Sequence, residues 1–134
     1  MTNLQIVQDA YGKFGSGDIP GLIGLLSSDI DWRVPEIENS TFGGKWQGHA
    51  GVGEFFGALA ADENITLFEP QEFISEGDKV VVLGRSASTV NSTGKNYETD
   101  WVHIFTLNDG KICKFHEFFD NAAATRAFQK TATA

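Results

Sequence analysis

The sequence predicts an α+β fold in which N-terminal helices lie on one face of a curved, mainly antiparallel sheet. Helical spacing of apolar residues dominates the first half of the chain, and four long strand-like runs with turn signals between them fill the second half. No repeat or low-complexity linker separates the two halves. Helices followed by a strand meander are typical of folds whose helices pack against one face of the sheet.

The first half of the chain predicts three helices and one strand. Leu4, Val7, Tyr11 and Phe14 recur at three- and four-residue spacing, and "GSGD" ends that helix. Asp18 is placed to cap a second, short helix. The predicted elements are helices over 3–14, 19–28 and 49–62, a strand over 29–35, and a loop or irregular hairpin over 36–48.

The second half of the chain predicts four strands and a closing helix. The strands cover 65–75, 80–90, 97–107 and 112–119, and the helix covers 121–129. The segments "EGDK", "NSTGKN" and "NDGK" between the strands are turn signals, which predict antiparallel hairpins. We expect a single domain over 1–130 and a frayed tail over 131–134.

Composition limits the function classes. The 134 residues include 11 phenylalanines and 3 tryptophans, a load that favours an apolar cavity or an aromatic interface. The net charge of -8, with 10 dispersed basic residues, argues against nucleic acid and acidic membrane surfaces as partners. No export signal or membrane-spanning stretch is evident, so we expect a soluble, cytoplasmic protein.

The chain has few candidate metal ligands. Cys113 is the only cysteine, which excludes an intramolecular disulfide and a thiolate cluster. The three histidines, His49, His103 and His116, are scattered and lack the carboxylate spacing of a metal site. We therefore expect neither a metal nor a cofactor.

The order of elements, with "GDIPGLIGLLSSDIDWRVP", "GHAGVGEFF" and "NDGKICKFHEFFD", resembles the SnoaL-like branch of the nuclear transport factor 2-like superfamily. The similarity covers nearly the whole chain. It implies a cone-shaped, cystatin-like roll, in which the curved sheet wraps around the helices and an apolar pocket. The superfamily includes ketosteroid isomerases, polyketide cyclases, limonene-type epoxide hydrolases and non-catalytic modules, and the fold alone does not select among them.

The resemblance also implies positions for catalytic residues. Where the isomerases carry a base and an oxyanion-hole acid, this sequence has Val34 and Val102, which argues against their mechanism. Of the three residues used by the epoxide hydrolases, Arg85 and Asp120 are present, but Ala87 replaces the third. Cyclase chemistry needs one carboxylate beside an aromatic cavity, and Asp120 would meet that requirement.

The predicted catalytic group follows from these positions. Asp120 would accept the proton, and Arg85 with either His103 or Glu117 would orient it. Two structural alternatives stay open, because Asp120 is also placed to cap the closing helix and Arg85 to form a salt bridge with Asp120 or Asp100.

Strand alternation divides residues 97–107 into two faces. The resemblance places Asp100, Val102 and Ile104 toward the pocket, so the aromatic set that includes His103 would form a dimer interface. A one-residue bulge would exchange the faces and bring His103 into the pocket. The predicted pocket residues are Tyr11, Phe14, Trp32, Val34, Trp46, Phe55, Phe56, Leu59, Asp100, Val102 and Ile104.

These patterns lead to one functional hypothesis and one alternative. The hypothesis is a cofactor-independent enzyme of isomerase, cyclase or hydrolase type that applies acid/base chemistry to a hydrophobic carbonyl-containing or polycyclic substrate. The alternative is a non-catalytic hydrophobic ligand-binding or assembly module of the same fold. In both cases we expect a homodimer formed through the sheet.

Overall fold

The computed structural model describes residues 1–130, and the tail expected over 131–134 lies outside the described residues. The helices are α1 (Asn3–Gly15), α2 (Ile19–Ile23), α3 (Gly48–Asp62) and α4 (Asn121–Phe128). The strands are β1 (Leu26–Val34), β2 (Gly44–Gln47), β3 (Glu63–Glu76), β4 (Lys79–Val90), β5 (Asn96–Asn108) and β6 (Lys111–Phe119). The predicted α+β class, with N-terminal helices and a curved sheet, is confirmed.

The six strands form one sheet in the order β2-β1-β6-β5-β4-β3. Strands β3 to β6 form the predicted antiparallel meander, whereas β1 runs parallel to β6, so the sheet is mixed. The predicted loop over 36–48 contains β2, which pairs with β1 and places Trp46 opposite Trp32. A strand of four residues is too short for its alternation to stand out in the sequence.

Helix α1 packs against the concave face of the sheet. A capping box formed by Thr2 and Gln5 fixes its first turn. Its buried stripe contains Val7 and Ala10, and this orientation turns Tyr11 and Phe14 toward the concave face of the sheet. The position of Tyr11 is therefore set by the amphipathic pattern that predicted the helix.

The inward face of β5 is the aromatic face. Trp101, His103 and Phe105 are only 3 to 4% exposed, whereas Val102 and Ile104 are half-buried on the opposite side. The prediction that Asp100, Val102 and Ile104 face the pocket is therefore wrong, as is an aromatic dimer interface on this strand. Large aromatic side chains bury more apolar area when they lie on the side of the sheet that the helices cover. This burial favours the observed orientation.

Strand β4 approaches the aromatic face closely at Gly84. A Cβ atom at this position would lie 2.6 Å from the carbonyl oxygen of Glu69 and closer still to the ring of Trp101. Only a residue without a side chain leaves room for that ring, which in turn packs against His103. Gly84 is thus part of the support of the concave wall.

We predict that Gly84→Ala destabilises the protein by about 1–3 kcal/mol, because the added methyl group overpacks the strand against Trp101. Gly57→Ala is the matched control, since a Cβ at Gly57 meets no atom within 4 Å and alanine is the better helix former. Urea unfolding of both variants measures the effect. Equal stability of the Gly84 variant and the wild type would contradict the close packing.

The outer face of the sheet carries a partly exposed apolar surface. Leu83, Val102 and Phe118 form one cross-strand row, and the side chain of Phe118 is 46% exposed. No helix within residues 1–130 has the length and apolarity needed to cross a membrane.

Candidate active site

An aromatic cavity of about 100 Å³ lies between the helices and the concave face of the sheet. Six of the predicted pocket residues line it, namely Tyr11, Phe14, Trp32, Phe55, Phe56 and Leu59. The strands β5 and β6 add Trp101, His103, Phe105, Phe115, Glu117 and Phe119. Its size is of the same order as an engineered cavity of about 150 Å³ that holds benzene.

Five predicted pocket residues lie elsewhere. Val34 is buried but does not line the cavity, and the indole N–H of Trp46 donates to the carbonyl oxygen of Phe42 at 3.0 Å. The other three are Asp100, Val102 and Ile104, which lie on the outer side of β5.

Asp120 and Arg85 also lie outside the aromatic cavity; together with Asp100 they line a separate surface pocket, so they are not placed to act with Tyr11, His103 or Glu117. Asp120 is the N-cap of α4, where its side chain accepts a hydrogen bond from the backbone N–H of Ala123 at 3.0 Å. Arg85 points away from the concave face and donates to the carboxylate of Glu69 at 2.6 Å. Strand alternation directs Arg85 outward because its neighbours Gly84 and Ser86 point inward. For Asp120, the alternative role as the cap of the closing helix is the one that the structure shows.

Tyr11, His103 and Glu117 form a chain of hydrogen bonds inside the cavity. The hydroxyl of Tyr11 lies 2.7 Å from Nδ1 of His103, and Nε2 of His103 lies 2.6 Å from Oε2 of Glu117. The three residues come from α1, β5 and β6, and His103 and Glu117 are directly paired across the two strands. Both ring nitrogens of a buried imidazole are thereby satisfied.

Aromatic rings hold this imidazole in place. His103 stacks on Trp101 with ring centroids 3.9 Å apart, and the ring of Phe115 meets it edge-on at 4.8 Å. The side chain of Glu117 keeps 19% of its surface exposed, so its carboxylate remains accessible from the cavity. The geometry fixes His103 and leaves the acid reachable.

The charge state of His103 decides which group donates to a ligand. In the neutral ring, Nε2–H donates to Glu117 and Nδ1 accepts from the hydroxyl of Tyr11. In the protonated ring, Nδ1–H donates to the oxygen of Tyr11, which frees the tyrosine O–H to donate into the cavity. The chain therefore couples proton uptake by the imidazole to the direction of the Tyr11 hydroxyl.

Tyr11 remains a phenol rather than a phenolate. Burial raises its pKa well above the ordinary value of 10.0, and the negative charge of Glu117 raises that pKa further. Tyr11 therefore keeps its O–H proton at every physiological pH.

A second polar group lies in the same cavity wall. Glu63 is the first residue of β3, and its carboxylate accepts a hydrogen bond from the hydroxyl of Tyr97. Burial raises the pKa of Glu63 above its ordinary value of 4.5, although the hydroxyls of Tyr97 and Ser88 oppose that shift. Burial and the nearby Glu63 likewise raise the pKa of Tyr97.

Two indole N–H groups of the lining residues have no hydrogen-bond partner within the described part of the chain. They belong to Trp32 and Trp101, both at least nine-tenths buried. A buried donor without an acceptor costs about 1–3 kcal/mol, so an acceptor atom at these positions would be stabilised.

Sequence reasoning missed several lining residues. The sequence prediction places the aromatic set of β5, which includes Trp101 and Phe105, on the opposite face and does not include Glu63 or Tyr97. The signal for Trp101 and Phe105 is the alternation of apolar and polar residues along β5, together with the concentration of aromatic side chains on one face of the strand. Within residues 1–130, no group of three or more His, Cys, Asp or Glu side chains is placed to hold a metal ion.

We predict a pH-dependent stability difference between wild type and Glu63→Gln. Between the ordinary and the raised pKa of Glu63, the folded wild type binds more protons than the unfolded chain, so its stability falls as pH rises through that interval. Gln does not titrate. The variant should therefore gain stability relative to wild type as the pH rises above 4.5, the ordinary pKa of Glu63, as measured by urea unfolding. A difference that stays constant or shrinks would contradict a raised pKa.

The fold and the cavity define a class: an α+β roll that encloses an aromatic cavity between its helices and a curved sheet. The model of the SnoaL-like domain family matches residues 7–115. The chain belongs to this SnoaL-like family, as the resemblance implied. Comparison with curated protein sequences gives no match.

Solved structures agree with this assignment. A nuclear transport factor 2-like protein from Burkholderia xenovorans LB400 is 32% identical, with a TM-score of 0.85 and 95% of each chain covered. TerC, crystallised with polyporic acid, is 31% identical, with a TM-score of 0.82 over 94% of this chain and 97% of its own. A nuclear transport factor 2-like protein of unknown function from Burkholderia pseudomallei K96243 is 29% identical, with a TM-score of 0.86 and 96% and 99% coverage.

Proposed function

We propose that this protein is a cofactor-independent enzyme that applies acid/base chemistry to a hydrophobic, ring-containing carbonyl compound. The observation that carries the proposal is the hydrogen-bonded chain of Tyr11, His103 and Glu117 in the wall of an aromatic cavity. The chain contains a carboxylate, an imidazole and a phenol, which are the groups needed to remove a proton and to stabilise the charge that remains.

Glu117 is the proton acceptor in this mechanism. One of its oxygens is bonded to His103, and the other is available to a C–H group next to a substrate carbonyl. When that C–H bond breaks, the proton passes to Glu117 and the electron pair moves to the carbonyl oxygen as an enolate. If the enolate is conjugated with a C=C bond, return of the proton to the far carbon would complete an isomerisation. Attack of the enolate carbon on a second carbonyl forms a C–C bond and an alkoxide, and transfer of the proton from Glu117 to that alkoxide would complete a cyclisation.

Tyr11 and His103 act on the enolate oxygen. A protonated His103 donates through Nδ1 to Tyr11, which leaves the phenol O–H to donate to the enolate. The raised pKa of Tyr11 keeps that proton on the phenol. His103 touches Tyr11 and Glu117 rather than the substrate, so it is a positioning residue.

The cavity lining around Tyr11, His103 and Glu117 supports a carbonyl-bearing aromatic ligand. The indole N–H groups of Trp32 and Trp101 lack acceptors, and a ligand oxygen would supply one. The lining is otherwise mostly aromatic, which favours flat, apolar ring systems. TerC, which is 31% identical, was crystallised with polyporic acid, so we choose polyporic acid as the binding probe.

We predict that the protein accelerates exchange of the α-protons of 1-tetralone for deuterium in D₂O, measured by NMR. Glu117→Gln should lower the catalysed rate by about 100-fold or more, because the base is removed. Tyr11→Phe should lower it as well, since the enolate loses its donor.

Asp120→Asn is the matched control for these variants, because it is the same kind of change outside the cavity and asparagine is also a good N-cap. It should exchange at the wild-type rate. No acceleration by the wild type, with polyporic acid still bound, would reject catalysis in favour of the non-catalytic binding module.

We further propose a homodimer through the outer face of the sheet, centred on Val102 and Phe118, whose side chains lie across from each other on β5 and β6. Val102→Asp places a charge in that surface and should give a monomer in light scattering at micromolar concentration. Ser92→Asp adds the same charge in an exposed turn and should leave the dimer intact. A monomeric wild type would contradict this proposal.

A further inference from the structure

Glu63 is a buried carboxyl group that the proposed mechanism does not use. It is 7% exposed, lines the cavity and accepts a hydrogen bond from Tyr97. No cation of residues 1–130 lies within salt-bridge distance of it. It also follows directly after α3, where the helix dipole disfavours a negative charge. Structural stability alone would favour an apolar side chain here.

Glu63 lies along the cavity wall from the first polar group, which is formed by Tyr11, His103 and Glu117. Tyr97, Thr99, Trp101 and His103 are successive lining residues of β5, so Thr99 and Trp101 separate the partner of Glu63 from the imidazole. The negative charge of Glu117 contributes to raising the pKa of both Glu63 and Tyr97, which places the two carboxyl groups in one electrostatic environment. The cavity thus has two polar groups with an aromatic wall between them.

The chemistry of Glu63 limits what it would bind. As a neutral acid its O–H donates to a carbonyl oxygen, and as a carboxylate it accepts from a hydroxyl group. Either form recognises an oxygen function of the ligand. The wall between the two groups contains Trp101, Phe68 and Phe119, which favours a flat ring over a flexible chain.

We infer that Glu63, held by Tyr97, is a second ligand-binding group, and that the ligand is a rigid ring compound with an oxygen function at each of two separated positions. The inference rests on the proposed function for its first position, at Tyr11, and adds the second. It makes Glu63 the residue that selects doubly oxygenated ligands over singly oxygenated ones.

The test compares 2-naphthol with 2,6-dihydroxynaphthalene by isothermal titration calorimetry. We expect the wild type to bind the diol about 10-fold more tightly, because one further buried hydrogen bond corresponds to a factor of this order. The double variant Glu63→Met with Tyr97→Phe removes the acid and its donor together, so the hydroxyl of Tyr97 is not left unpaired. Its preference for the diol should fall to about the twofold statistical factor of two equivalent hydroxyls, while 2-naphthol binds as in the wild type.

Two further variants complete the experiment. Glu69→Gln makes a carboxyl-to-amide change on the outer face of β3 and should retain the wild-type preference. Tyr97→Phe alone keeps the acid without its donor and should lower the preference partially, which covers a double variant that fails to fold. Equal wild-type affinities, no measurable binding of either probe, or an unchanged preference in a folded double variant would overturn the inference.

The outcome is separable from that of the proposed function. A diol preference that depends on Glu63, without any exchange of tetralone protons, would reject the mechanism and keep the second binding group. Exchange that depends on Glu117, without a diol preference, would do the reverse.

Discussion

His103 is a buried imidazole, and its burial depends on partners that come from two other elements. An unpaired ring nitrogen at 4% exposure would cost about 1–3 kcal/mol, so Tyr11 of α1 and Glu117 of β6 are both required. This requirement couples the position of the first helix over the sheet to the register between β5 and β6. A slip of one residue in β6 would turn Glu117 outward and expose an apolar face.

The same constraint separates the charges of the protein into two environments. Outside, Arg85 pairs with Glu69 in water, where such a pair contributes little to stability. Inside, Glu63 and Glu117 share a low-dielectric cavity, in which Tyr97 donates to Glu63 and His103 donates to Glu117. Two acids in one apolar volume disfavour a second negative charge, and this is why burial and mutual repulsion both raise the pKa of Glu63.

Local patterns predicted what depends on neighbouring residues. The order of elements and the cap at Asp18 both follow from spacing along the chain. Alternation also divides the residues of β5 correctly into two faces, but it does not indicate which face points toward the cavity. The family resemblance selected the face of Asp100, Val102 and Ile104, which points outward. The contact between Tyr11 and His103 joins residues 92 positions apart, so no local pattern contains it. The sequence is compatible with two roles for Asp120, as a proton acceptor and as the cap of the closing helix. Only the geometry of the cap distinguishes these roles.

The inward face of β5 also changes how the missing carboxyl groups are interpreted. Valine at position 102 argued against the isomerase mechanism because related isomerases carry an acid on this strand, yet Val102 points outward here. An outward residue has no bearing on the chemistry of the cavity, whatever its type. The inward neighbours on β5 and β6 are His103 and Glu117, which are hydrogen-bonded to each other. The ionisable groups of such a cavity therefore depend on which strand positions face inward, and this cavity holds an imidazole and a carboxylate at positions other than 34 and 102.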